Sequence, residues 1–411
     1  MFFDLNYYTV YLQVFDEYGV YTGVWQDITR HVKDLGNTSL QIDQSDYDLG
    51  VFQNSSLSIK VNNRSGVFND VGFDGTFFEY KRADSLIKVT YRINQYGPMC
   101  GVITLPFICG EEVTVYKGLL TDDSFKSGAA KEEGTLKVLG LESIFDRVLV
   151  NYSSLSNGDT VEEILYTILN HTAITNILTV SAGNINVSLD QASDDVSDLE
   201  GKTVREAVDD LLFISNSILY INSDDEIIIA PRTASATSKK TFYGQASTAG
   251  LENIIDIDND NNGLHRVFNY ILWKETTVVK SDVTSIGLNG LRKKEISSDL
   301  LTNTTKRENV LADILSEFKD KKREMILTVN LNYDTLNLSL LDKINIDYPI
   351  IYYTDYTTSF PVLGLAILGD TGSPLPNSQS TFKIDITTDF KILQITYNYF
   401  NNTINLKIRE A

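Results

Sequence analysis

The chain has 411 residues, 42% apolar and 22% charged, a balance typical of folded protein and a length that calls for two to four domains rather than one core. Thirty-five Lys and Arg against 55 Asp and Glu leave a net charge of -20, the reverse of the cationic surface with which proteins grip nucleic-acid phosphates. No apolar run approaches the roughly 20 residues that cross a bilayer, and MFFDLNYYTVYLQVF lacks the basic start and small-residue cleavage site of an export signal, so synthesis in the cytosol is expected.

From residue 1 to about 150 the apolar period is two. SSLSIKVNN places Leu57, Ile59 and Val61 on one face, and SLIKVTYRI does the same with Ile87, Val89, Tyr91 and Ile93. NNRSGVFND between them reads as a turn-rich loop, EVTVYKGLL and GTLKVLGLE as two further strands, and LESIFDRVL as a short closing helix. This pattern predicts an antiparallel barrel or sandwich. Cys100 and Cys109, in CGVITLPFIC, are expected as two thiols rather than a bridge, and neither has a neighbouring histidine to activate it.

The middle, 151–245, reads as a small α+β module. Thr160 and Glu163 make a capping box ahead of the stripe Val161, Ile164, Leu165, Ile168 and Leu169. Thr203 and Glu206 make a second, ahead of Val204, Ala207, Val208, Leu211 and Leu212. ILYI and EIIIA then flank the polar turn Asn222-Ser223-Asp224-Asp225, as in a hairpin with one covered face, and RTASATSKKTFYGQASTAG reads as an exit linker or exposed loop.

Beyond 246 the strands return. Thr305 and Glu308 make a third capping box opening a helix over 306–320, with Val310, Leu311, Ile314, Leu315 and Phe318 on one face and KDKKRE at its negative end. EMILTVNLNY alternates through Leu327, Val329, Leu331 and Tyr333, and FKILQITYNYFNNTINLKIRE makes two strands around Phe400-Asn401-Asn402.

Chemistry is sparse. His31, His171 and His265 each stand apart from any partner at metal-ligand spacing, and His171, ending EEILYTILNH, fits a cap at the helix's negative end. In DIDNDNNG, Asp258, Asp260, Asn262 and Gly263 match the first half of a calcium loop, but the twelfth position is Asn269 and the ninth Arg266, so a solvated turn is expected. The acid pairs Glu111-Glu112, Asp122-Asp123 and Asp194-Asp195 invite a glycosidase reading, yet adjacent acids point apart and are ordinarily solvated. No nucleophile elbow, phosphate loop or zinc-protease motif is present. No catalytic, cofactor-binding or metal residue is assigned, and no cofactor is expected. The alternatives of a different class are a β-rich cell-wall-degrading, carbohydrate-active enzyme and a glycan-binding adhesin.

Taken in order, the segments resemble bacteriophage tail and baseplate hub proteins: the central hub of contractile tails, the tail-tip hub of long-tailed phages and the base of the type VI secretion spike. SSLSIKVNNRSGVFND resembles the family's strand and turn, and VYKGLL with GTLKVLGLESIFDR its paired barrel strands and short helix. Gly201, Thr203, Pro231 and Arg232 match its helix and two-stranded unit, HRVFNYILW resembles the strand opening its second barrel, and Asp342 in LSLLDKINI its tight-turn Asp. The resemblance implies a mainly β fold with an α+β insert: two tail-tube-like antiparallel β-barrels, 1–150 and 246–411, and a small helix/hairpin module, 151–245. It also implies a homotrimer that adapts sixfold to threefold symmetry. A sixfold tail-tube or distal-tail ring would sit above it and a threefold spike or fibre below, with DNA passing through without specific binding. The implied protein is not an enzyme, and it is made in the host cytoplasm for the virion tail.

Overall fold

The period-two segments of the first 150 residues form one sheet. Its strands are β1 (Tyr7–Gln13), β2 (Gln26–Asp27), β3 (Val32–Leu35), β5 (Ser56–Asn62), β6 (Leu86–Arg92), β7 (Glu112–Leu120) and β8 (Glu133–Gly140), while β4 (Thr38–Gln41) leaves it. In this computed structural model the described residues are 7–18, 20–42, 52, 55–68, 77, 83–92, 112–121, 133–244, 253–261, 263–353, 379–384, 388–399 and 401–411. Cys100, Cys109, Glu111, Asp122, Asp123, Asn262 and Phe400 lie outside them. The order β2-β1-β6-β7-β8-β5-β3 is antiparallel throughout. Register places Leu57 opposite Val138 and Ile59 opposite Leu136, so the buried faces of neighbouring strands coincide. LESIFD makes a 3-10 turn behind β8.

Glycine is required where β7 crosses β8. Gly118 faces Gly140 in register, and a Cβ on Gly118 would lie 2.2 Å from the Leu139 carbonyl oxygen, a backbone atom with no freedom to yield. Gly118→Ala should therefore lift β7 off β8 and destabilise by about 1–3 kcal/mol. Gly287→Ala, at a helical glycine with nothing within 4 Å, should be neutral or gain up to about 1 kcal/mol. Urea midpoints of the two variants check this; equal midpoints would refute the close-approach argument.

The module follows the sequence closely. It comprises α1 (Val161–Leu169), α2 (Thr172–Thr175), α3 (Val204–Ile214), β9 (Ser217–Ile221) and β10 (Ile227–Pro231). Both capping boxes form, with Thr160 accepting the Glu163 N–H and Thr203 the Glu206 N–H. The predicted stripes of α1 and α3 are buried; each such aliphatic side chain contributes roughly 1.5–3 kcal/mol relative to exposure.

The last third departs from expectation in several places. The serine-rich stretch after Pro231 is no linker: it contains β11 (Ser238–Tyr243), which runs parallel to β17 (Lys343–Tyr353) and buries Phe242 completely. The DIDNDNNG segment is mostly strand β12 (Ile254–Asn261), in antiparallel pairing that ends Asn261 opposite Glu324, so the solvated turn is corrected to a ladder. HRVFNYILW supplies β13 (Tyr270–Trp273), which joins β14 (Val279–Ser281) and β15 (Lys293–Ile296) in a separate three-stranded sheet with α4 (Val283–Asn289) between them. It does not open the second large sheet. The next helix, α5 (Thr304–Phe318), is capped by Asn303, whose side chain accepts from Thr305 and Lys306, two residues before the expected Thr305. Strand β16 (Glu324–Asn330) buries Leu327 and Val329, but Tyr333 begins the short helix α6 (Tyr333–Leu336). The second large sheet is completed by β18 (Gln379–Ile384), β19 (Asp389–Asn398) and β20 (Thr403–Glu410). Its order is β11-β17-β19-β20-β16-β12, with β18 on β17 and β4 on β19.

Two apolar clusters hold these parts. One draws on both large sheets, Ile59, Tyr91 and Leu136 from the first with Leu327, Ile395 and Leu406 from the second. The other gathers α1, α3, the β9–β10 hairpin, β13 and α5 around Phe145, Trp273 and Phe318.

Candidate functional site

The two large sheets share one connection pattern. In the first, five strands taken in chain order, β3, β5, β6, β7 and β8, lie side by side as β3-β5-β8-β7-β6. In the second, β12, β16, β17, β19 and β20 lie as β12-β16-β20-β19-β17. Substituting one set for the other in order reproduces the same arrangement, and every one of these contacts is antiparallel. The sixth strand breaks the likeness: β1 runs antiparallel on β6, whereas β11 runs parallel on β17.

The sheets are also tied by an exchange. After β3 the chain turns at Gly36 and Asn37, and β4 pairs Thr38–Gln41 with Tyr397–Gln394 of β19. The bond Thr38 Oγ1 to Tyr399 Oη, 2.7 Å, and that from Tyr91 Oη to Asn402 Oδ1, 2.7 Å, add side-chain links between the halves. This pairing creates a row of uncharged polar side chains across four strands, Thr328, Asn405, Thr396 and Ser39, with Thr328 bonded to Asn405 at 3.1 Å and Ser39 to Thr396 at 3.1 Å.

At the far end of the same strands the register row is charged: Glu324 of β16 faces Arg409 of β20, which faces Lys391 of β19. The end of α5 covers this row, with Phe318 under the Arg409 guanidinium and Glu317 accepting from Lys391 Nζ at 2.5 Å. Arg266 Nε and Arg409 Nε approach Glu324 at 3.0 and 3.5 Å in a structural ion network, and His265 Nε2 lies 3.3 Å from the same carboxylate. Burial would push the Glu317 carboxyl up, but Lys391, Lys322 and Arg409 outweigh it and hold it below the ordinary carboxylate range. Lys391 is pushed down to about 8 by burial, against the pull of Glu317.

The remaining candidates serve local structure. His31 packs edge-on against Phe68 and Phe77. His171 corrects the expectation of a cation at the end of α1: its Nδ1 accepts the Ala173 N–H at 3.2 Å, making it the cap that opens α2. Asp194 anchors the start of α5, accepting the N–H groups of Thr302 (2.8 Å) and Asn303 (2.7 Å) and pairing with Lys306. Burial opposes ionisation there, yet these bonds hold its carboxyl below its ordinary value. Asp195 accepts from Ser197. Asn269, the twelfth position of the calcium-like stretch, is wholly buried and bonded to Gly290 O and the Arg292 N–H. Asp342 accepts the Ser339 N–H at 2.7 Å at the entry to β17 and pairs with Lys239. Among the described residues no three His, Cys, Asp or Glu side chains stand close enough to hold a metal ion, and no helix is long and apolar enough to cross a membrane. A cleft of about 190 Å³ lies between the edge of β7, the β9–β10 turn and the segment after α6. It holds the buried Glu142 carboxyl, raised by burial despite the Ser55 N–H, with the Lys117–Asp225 pair at its side.

Known structures share this arrangement of elements. The tail protein of Neisseria meningitidis MC58 matches with a TM-score of 0.55 and 11% identity over 98% of this chain and 96% of that one. The 43 kDa tail protein of prophage MuSo2 from Shewanella oneidensis matches at 0.52 and 11% identity, over 98% and 95%. The chain has the phage tail-protein fold. A chain of the half-lidded Francisella PdpA–VgrG complex is similar as well, at 0.51 and 9% identity, over 98% of this chain and 58% of that one. No family model matches the sequence, and neither does any curated protein.

Proposed function

We propose that the chain is a structural hub of a phage tail tip or baseplate, or of a related injection machine, working without turnover. Residues 1–150 and 246–411, the latter together with β11 (Ser238–Tyr243), act as two tail-tube-like barrel units and the rest of 151–245 as a brace between them. Three copies then present six similar units, so a threefold ring continues a sixfold tube, with a sixfold ring protein above and a threefold spike or fibre below. The observation that carries this reading is the identical order of five strands in the two large sheets. Two like units per chain are what a threefold assembly needs to imitate sixfold symmetry. The likeness to two tail proteins along nearly their whole length supports it. That to a chain of the PdpA–VgrG complex supports further partners at the ring's faces. A net charge of -20 suits a wall along which DNA slides, because like charge discourages sticking.

Light scattering with electron imaging tests the proposal. The expected particle has three times the 46.1 kDa chain mass and a central hole. A closed dimer, or a trimer without a hole, would overturn it.

A further inference from the structure

Two exposed apolar surfaces of opposite charge stand on the two halves of the molecule. The first is the tip between β1 and β2. Its backbone is pinned by Asp16 N to Val20 O at 2.8 Å, Thr22 N to Val14 O at 3.0 Å and the stacked Phe15 and Tyr21 rings at 4.5 Å. The tip holds out Tyr18, 81% exposed, with Val20 and Val24 beside it. From Phe15 to Asp27 it carries Asp16, Glu17 and Asp27 and no Lys or Arg.

The second is the excursion around α4. Val283 is 80% exposed and Leu288 75%, with Leu291 following the Gly290 cap. From Val279 to Glu295 it carries Lys280, Arg292, Lys293 and Lys294 against Asp282 and Glu295, a basic surplus in an acidic chain. Apolar side chains this exposed, grouped and rimmed by charge mark an interaction surface rather than scattered solvent-facing residues.

A line of contacts runs between the two. Tyr21 bonds to the Asp84 carbonyl and Asp84 to Arg147 behind the 3-10 turn. That turn packs on α3, Asn216 after α3 bonds to Asp313 of α5 at 3.0 Å, and Lys319 beyond α5 pairs with Asp282, the cap of α4. The acidic tip and the basic excursion are thus the two ends of this run of contacts; within the excursion Lys293 pairs with Glu295 and Lys280 with Glu308 of α5, while Tyr18, Val283 and Leu288 stay exposed.

We propose that the acidic tip of one copy docks on the basic α4 excursion of the next, a head-to-tail contact that closes the ring. This rests on the hub reading above, which requires copies in a cycle and does not say which surfaces meet. A head-to-tail contact needs two different, complementary patches on each copy, and these two match in apolar character and oppose in charge. Tyr18, 81% exposed, is an aromatic anchor of the kind that carries binding energy, and the exposed Leu288 of α4 is the apolar side chain that receives it.

Glu17→Lys or Lys293→Glu alone should weaken trimer formation roughly tenfold on a mass-against-concentration curve, and Tyr18→Ala by a similar factor. Glu17→Lys combined with Lys293→Glu in one chain should recover most of the loss, because each interface then regains an opposite pair. Unchanged circular dichroism and melting would show that these exposed substitutions leave the fold intact. A wild-type trimer whose curve is unmoved by either single reversal and by Tyr18→Ala would overturn this contact and leave the ring standing. A wild type that stays monomeric at every concentration would remove the ring and the contact together.

Discussion

Glu317→Gln should destabilise the chain by about 3–5 kcal/mol, the usual cost of removing one partner from a buried ion network. Glu317 is the carboxylate on which Lys391 (2.5 Å), Lys322 (3.5 Å) and Arg409 (3.7 Å) converge, and Lys391 and Arg409 are almost wholly buried. Glutamine keeps the shape and removes the charge, so Lys391 loses its compensation where water does not reach it, while Arg409 keeps Glu324. Replacing Lys391 as well, by Met, removes the nearest uncompensated cation, and the double variant should be less destabilised than Glu317→Gln alone. Urea midpoints of the two variants measure this. A double variant at least as unstable as the single would show that the network acts by packing rather than by charge.

Asp209→Asn should stabilise the chain, and increasingly so as pH rises. Asp209 lies on α3 with its side chain 18% exposed; Arg205 Nε is 3.7 Å away and the Phe52 N–H 3.4 Å. Burial pushes its carboxyl up to about 7, and the Arg205 guanidinium, stacked on the Phe52 ring, only partly opposes this. The folded state therefore holds the proton more tightly than the unfolded state, whose carboxyl titrates near 3.8. Stability attached to this group is complete at low pH, is lost as pH climbs from about 4 to about 7, and stays lost above that. At about 1.4 kcal/mol per unit the loss reaches at most about 4 kcal/mol, less whatever attraction Arg205 returns. Asparagine, the neutral shape, escapes it, so the advantage of the variant should grow by about 2 kcal/mol between pH 5.5 and 8.5. A difference that stays flat across that window would contradict the buried ionisation.

The elements were legible wherever a local rule decided them. Leu57, Ile59 and Val61 alternate because one face of β5 is buried, and Thr160 and Thr203 cap helices because an orphan N–H lies three residues on. What was not legible was which sheet a strand joins. β4, with the unremarkable sequence TSLQ, is defined by a partner more than 350 residues away. β11 hides in a serine-rich run because its parallel neighbour β17, not its own composition, makes it a strand. Lys391, Arg409 and Glu324 sit at outward positions of their strands and become buried only because α5 lies over them. The opposite charges at the ends of KIRE, FKIL and EMIL were the available signal, since neighbouring strands would set them in one row. The exposed apolar side chains were equally hidden, as exposure of Tyr18 or Leu288 has no local signature.

The exchange of β4 also fixes when the molecule can be finished. Strand β4, made within roughly the first forty residues, finds its partner only after residues 394–397 have left the ribosome, so the second sheet must wait for them. Until then β19's place beside β4 is vacant and the two halves are not locked together. A chain with β4 seated has therefore already brought residues 38–41 and 394–397 together, and one lacking β19 has nothing to hold that strand.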